Sequence, residues 1–220
     1  MAGRSVYSIL LDDDMIAAVD RIAQRNGISR SAMIERLISE RISYISPQNR
    51  ISEIFEDIGR LMSGVDGFTS WLSSDRTAYQ LKSGMARFRP SVRYEVKIYD
   101  RMSGADFGEL DVYIRSDDPA VLSSGEDFFR AFCRLERMYL TAAIPGGISC
   151  GLDMRTGRFR RGLRLDFSAD HGADEIARSI TDYISMLDTM MKRWYGREYL
   201  SPEDMENDYL SYLNGGVGII

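Results

Sequence analysis

The sequence predicts an α+β chain in two parts. The first is a short strand-helix-helix unit that needs a second copy to be complete, and the second is a larger antiparallel-sheet domain with its helices packed on one face. Three observations predict this. Residues 4–11 alternate like a half-buried strand and lead into two helical patterns. Further on, a strand-turn-strand pattern occurs twice, each time followed by a helix with an apolar stripe. At 220 residues and 44% hydrophobic, the chain has the length and composition for one small and one larger globular part. The boundaries expected are a module at residues 1–46, a linker at 47–50 and a domain at 51–220.

In RSVYSILL, residues 4–11, Tyr7, Ile9 and Leu11 fall on one face and Arg4, Val6, Ser8 and Leu10 on the other. Asp12 is placed to cap a helix, and Asp13 and Asp14 put negative charge on its first turn, where the helix dipole favours it. Met15, Ile16, Val19, Ile22 and Ala23 recur at helical spacing, and Gly27 stands where the chain must leave the helix with positive φ. Ser29 is the cap expected for a second helix with Met33, Ile34, Leu37, Ile38 and Ile42 along its buried stripe. One strand and two helices are too little chain to cover their own apolar faces. Pairing two strands as an antiparallel ribbon, with the helices interleaved, would bury those faces and close the strand edge.

The stretch VYSILLDDDMIAAVDRIAQRNGISRSAMIERLISERI resembles the ribbon-helix-helix family that includes Arc, MetJ and CopG, over residues 4 to about 43. The resemblance implies a dimeric N-terminal ribbon-helix-helix module whose paired ribbon enters the DNA major groove, with the start of the second helix held on a backbone phosphate. By position, the implied DNA-binding residues are Arg4, Val6, Ser8 and Leu10 on the ribbon and Ser29, Arg30 and Ser31 at the helix start. Val6 and Leu10 are apolar where the family usually carries long polar groups, which leaves Ser8 and Arg4 for hydrogen bonds to bases. Residues 1–46 hold six arginines, no lysine and six acidic residues, so the module is electrically neutral. Because phosphate neutralisation supplies most non-specific affinity, the expectation is weak binding strengthened by avidity. The competing reading keeps the fold as a dimerisation device whose ribbon meets protein.

Pro47 marks the expected linker, and Ile51, Ile54, Phe55, Ile58, Leu61 and Met62 an amphipathic helix after it. DGFTSWLSSDRTAYQLKSGM is read as one or two short helical pieces. SVRYEVKIYDRMSGADFGELDVYIRS and GGISCGLDMRTGRFRRGLRLDFS are then read as hairpins followed by helices, a tandem of two hairpin-helix units forming a four-stranded antiparallel sheet. Chance likeness of two short hairpins is the alternative. Phe128, Phe129, Phe132, Leu135 and Met138 form one helical stripe, and Ile176, Ile180, Tyr183, Ile184, Leu187, Met191 and Trp194 the other. The sheet's second face is left to the 51–64 helix, a partner subunit or a ligand. A capped short helix is expected from Ser201, with Val217, Ile219 and Ile220 in an apolar tail.

A second basic concentration gathers Arg158, Arg160, Arg161 and Arg164, with arginines and Phe88, Tyr94 and Phe159 interleaved nearby. Two readings stand: a nucleic-acid grip, or the solvent face of amphipathic strands paired with acids such as Glu95, Asp100, Asp111 and Asp153. The two differ in space, since the first needs one basic surface and the second is split by carboxylates.

With 28 basic against 33 acidic residues, a net charge of -5, the chain offers no bulk electrostatic attraction for nucleic acid or an anionic membrane. Cys133 and Cys150 lack metal-ligand spacing and are read as small core residues of a reduced, cytoplasmic protein. The single histidine, His171, is read as a solvated loop residue. No apolar run reaches a bilayer's thickness. SGADFG and PGGISCG lack the spacing and lysine of a phosphate loop, and no nucleophile or acid-base pair stands out. The functional expectation is a non-enzymatic, cytoplasmic transcriptional regulator without cofactor or metal. It binds double-stranded DNA as a homodimer or higher oligomer, with a small-molecule effector left open. The alternatives are a protein-assembly factor, or an antitoxin or plasmid-partition DNA-binding protein.

Overall fold

The structure, a computed structural model, describes residues 8–41, 47–84, 91–103, 106–141, 144, 147–153, 156–164 and 171–216. Its chain divides into two compact units, Met1–Ser46 and Pro47–Ile220.

The first unit consists of α1 (Asp13–Arg25) and α2 (Arg30–Arg41). Asp12 stands at the N-cap of α1 in extended conformation but its side chain makes no capping hydrogen bond, whereas Asp13 and Asp14 occupy the first turn as expected. Among its described residues only Val19, Ala23 and Met33 are buried, with Ile34 packed against them. Met15, Ile22, Leu37 and Ile38, assigned from spacing to the buried stripes, are 53%, 38%, 37% and 46% exposed. Residues 8–11 carry no secondary structure. The strand read over residues 4–11 is therefore not formed in its described part, 8–11, where no second strand lies alongside to complete a ladder. Arg4, Val6, Tyr7 and Ile42 lie outside the described residues.

The second unit opens with α3 (Pro47–Met62), so residues 47–50 are its first turn and not a linker. Proline is favoured there because its missing N–H has no acceptor in the first turn anyway. Next comes a hairpin, β1 (Phe68–Leu72) and β2 (Ala78–Gly84), where short helices had been expected. Ser73 turns it: its N–H donates to the Ala78 carbonyl and its Oγ accepts from the Ala78 N–H. β3 (Ser91–Ser103), β4 (Asp106–Arg115), α4 (Pro119–Leu140), β5 (Cys150–Asp153), β6 (Arg158–Leu163), α5 (Ala173–Tyr195) and α6 (Pro202–Asn214) follow. Ser201 and Asp204 cap α6 reciprocally.

The sheet is antiparallel with order β1-β2-β3-β4-β6-β5, six strands where four were expected. Its register sets Leu81, Tyr94, Val112 and Phe159 on one face, in line across β2, β3, β4 and β6, and all four are buried. That face packs against α3, α4 and α5 through one continuous core. Phe159 stacks on Phe129 of α4 at 4.5 Å, Phe55 of α3 meets Tyr79, and the Tyr94 hydroxyl donates to Asp188 of α5 at 2.9 Å. Each such fully buried side chain contributes roughly 1.5–3 kcal/mol. Gly108 permits the tightest packing, because a Cβ there would lie 2.3 Å from the Lys97 carbonyl of the next strand.

Cys133 and Cys150 are joined as a disulfide between α4 and the start of β5, correcting their reading as reduced core residues. Both are buried, so their burial was legible; their proximity is made by the fold, which brings the β5 edge beneath α4. His171 is also less solvated than expected: its ring is 21% exposed with Nδ1 3.0 Å from Glu175, and its carbonyl accepts from Arg50.

Candidate nucleic-acid interface

The turn between α1 and α2 sets the geometry of the candidate site. After α1 the N–H of Ile28 donates to the Ala23 carbonyl and that of Gly27 to the Gln24 carbonyl, the paired bonds of a Schellman closure. Gly27 sits at φ +66 with open space around its Cα, so glycine is required there for the backbone angle alone.

The chain then enters α2 through Ser29, whose Oγ accepts from the Ala32 N–H at 3.2 Å, and the first helical bond runs from the Met33 N–H to the Ser29 carbonyl at 3.0 Å. Helix geometry provides no earlier-turn acceptor for the Arg30 and Ser31 amides, and the helix dipole adds partial positive charge at this exposed end. Ser29, Arg30 and Ser31, the positions the resemblance implied, thus form the exposed N-terminus of α2.

Arg30 departs from that expectation. Its Nε and Nη2 each donate to Asp20 of α1 at 2.6 Å, a two-pronged pair on the surface. This bond holds the Asp20 carboxyl below its ordinary value and raises the guanidinium's. The charge of the guanidinium is therefore partly neutralised by Asp20, a neighbour missed in the sequence. Its ten-residue separation from Arg30 reveals nothing until the turn brings the two helices side by side.

On the other expected surface, Ser8 is exposed and Leu10 fully so at 102%. Arg4 and Val6 lie outside the described residues. The exposed apolar side chains of Ile9, Leu10, Met15, Leu37 and Ile38 belong to the same unit, whose own core is three residues.

Arg158, Arg160, Arg161 and Arg164 do not make one basic surface. Arg158 and Arg160 lie on the sheet face opposite the core, where Asp111 takes both at 3.3 and 2.8 Å and Lys97 at 3.1 Å. Glu109 also pairs with Lys97 and Arg160. Arg161 points the other way and is fully buried against Glu136, while Arg164 pairs with Asp106 at 2.6 Å and donates to the Gly147 carbonyl. Tyr94 and Phe159 are core residues, so neither is available to stack on a base. Asp111 is itself without solvent exposure; burial pushes its carboxyl up, but hydrogen bonds from Arg160 and Lys97 outweigh that and hold it below its ordinary value.

Among the described residues no group of three His, Cys, Asp or Glu side chains is placed to hold a metal, and no helix is long and apolar enough to cross a membrane. A cavity of about 240 Å³ lies between α4 and the sheet, lined by Ile114, Leu122, Gly125, Phe129 and Leu152 among others. It is smaller than the few hundred Å³ usual for a ligand pocket.

Residues 8–43 match the family model of the ribbon-helix-helix protein, copG family, and no family model matches the rest of the chain. That family is generally one of DNA-binding transcription regulators that bind as dimers. No curated protein and no solved structure matches the chain.

Proposed function

We propose that this protein is a sequence-specific DNA-binding transcriptional regulator, acting as a homodimer or a higher oligomer through its N-terminal unit, with Arg4, Val6, Ser8 and Leu10 on the groove-facing ribbon. The supporting observation is the match of residues 8–43 to a family of dimeric DNA-binding regulators, on a unit that leaves Met15, Ile22, Leu37 and Ile38 of its apolar stripes exposed as a single chain. A second copy supplies the missing strand and covers that stripe, and the starts of the two α2 helices then seat on backbone phosphates. No catalytic, metal or cofactor chemistry enters the proposal, and its setting is the cytoplasm on the ground of DNA binding alone, since the Cys133–Cys150 disulfide removes the argument from reduced cysteines.

A protein-assembly role is the second reading. It is favoured by one specific feature, the Asp20 carboxylate that neutralises Arg30 in a module whose charges already cancel. An antitoxin or plasmid-partition role shares the DNA-binding step and differs in what the second unit grips.

The test measures affinity of the full chain for random duplex DNA across a salt series, and sequences the genomic fragments that copurify with it. Enrichment of a common motif, with affinity falling steeply as salt rises, is the expected result. Flat, salt-independent signals and no enriched sequence would leave the assembly reading.

A further inference from the structure

The six-stranded sheet has two edges, and they differ in how they are protected. β5 is four residues long, carries Asp153, and is fixed at its first residue by the disulfide to α4. β1, FTSWL, has neither a charge nor a proline, and no described residue pairs with its outer side. Trp71 and Leu72 on it are 40% and 39% exposed. Natural sheets normally guard an exposed edge with charge, proline or a bulge, because unpaired N–H and C=O groups recruit another strand.

The ladder fixes which groups point outward. The Ser73 N–H donates to the Ala78 carbonyl, so pairs two residues along, Trp71 with Gln80 and Thr69 with Lys82, are the hydrogen-bonded ones. Phe68, Ser70 and Leu72 therefore direct their N–H and C=O groups away from β2. These three positions are symmetric about Ser70. An antiparallel twin of β1 placed on a twofold axis through Ser70 meets itself at that residue and sets Phe68 against Leu72. Every outward donor and acceptor of the three then finds a partner on the twin.

The side chains agree with this register. Trp71 comes opposite Thr69 of the other copy at a position between hydrogen-bonded pairs, where cross-strand side chains approach most closely and aromatic with β-branched pairs are favourable. Phe68 and Leu72 meet on the helix-covered face. Asp66 faces Ser74, so no carboxylate is set against another.

We infer that the β1 edge is an interface for a second copy of this chain, joining two N-terminally paired dimers into a tetramer through a continuous sheet. This rests on the proposed N-terminal pairing for the word dimer, but the edge contact itself does not.

The test is the mass of the full chain in solution, by light scattering or sedimentation, for wild type and for Ser70→Pro. The Ser70 N–H points away from β2, so proline there removes an outward donor while leaving the β1–β2 ladder intact. A second variant, Trp71→Lys, puts a charge on the edge and decides the matter if Ser70→Pro does not fold, with circular dichroism as the check on folding. The expected result is a tetramer in wild type and a halved mass in the variants. A wild-type dimer whose variants are monomers upholds the edge contact and removes the N-terminal pairing instead. Equal mass in wild type and folded variants, whatever its value, overturns the inference.

Discussion

Arg161 of β6 and Glu136 of α4 form an ion pair in which neither side chain has any solvent exposure, with Arg161 Nε 2.8 Å from Glu136 Oε1. The Tyr183 hydroxyl of α5 donates to the same oxygen at 2.7 Å, and the guanidinium lies 4.4 Å above the Tyr183 ring. One cluster therefore fastens the sheet to two helices, and the neighbouring Glu136 carboxylate is one of the causes raising the buried Tyr183 hydroxyl's pKa, after burial itself.

Breaking that pair by one side is expected to be costly. Arg161→Ala or Glu136→Ala should each destabilise the second unit by about 3–5 kcal/mol, because the survivor is a buried charge that has lost its oppositely charged neighbour. Replacing both, as Arg161→Met with Glu136→Leu, should recover a large part of the loss. Urea denaturation of the three variants checks this, and equal losses in single and double variants would contradict it.

The Cys133–Cys150 disulfide closes a segment with a sequence separation of 17. Closing a loop of about that length stabilises a fold by roughly 3 kcal/mol. Wild type should lose about that much when denatured in the presence of a reductant, whereas Cys133→Ser with Cys150→Ser should be indifferent to the reductant. Thiol counting before and after reduction shows whether the bond is present in the protein as purified.

Asp111 gives the open sheet face a dependence on acid. Its folded carboxyl lies below the ordinary value, so the stability it contributes is fully present above the unfolded value of about 4 and is lost as pH falls through the lower, folded one. The stability advantage of wild type over Asp111→Asn should be constant near neutrality and shrink below about pH 4. Melting temperatures measured from pH 7 to pH 3 test the sign; an advantage that widens in acid would refute it.

Asp20 is expected to restrain DNA binding. In Asp20→Asn the Arg30 guanidinium loses its charged partner, so affinity for duplex DNA should rise at low salt. If the freed arginine takes a phosphate in each chain, the slope of log affinity against log salt should steepen by about 0.9 per chain. Arg30→Ala should leave wild-type binding less changed than it leaves binding by Asp20→Asn. An Asp20→Asn slope identical to wild type would remove Arg30 from the interface.

The parts legible in the sequence are those governed by local chemistry. The acidic start of α1, the positive-φ glycine at 27 and the serine caps at 29 and 201 each act within a few residues, and each stands where spacing placed it. β1 and β2 were harder because Ser70, Ser73, Ser74 and Ser83 dilute the alternation of Phe68 and Leu72 and of Tyr79 and Leu81, although Asp75 accepting from Ser73 and Thr77 marks a turn between them. Arg161 was misplaced because its charge was weighed above its period. Phe159 and Leu163 flank it at two-residue spacing, and that alternation alone assigns it to the buried face. The Asp20–Arg30 pair and the disulfide depend on elements meeting in space, which spacing along the chain does not encode.

If the first unit pairs as proposed, its small core, three residues among those described, ties its folding to abundance. On the proposed pairing, a scarce chain leaves this segment under-covered, and the population able to engage an operator grows faster than in proportion to the number of chains. Synthesis and dilution at cell division would then act as inputs to the switch, with no effector molecule needed to set its threshold.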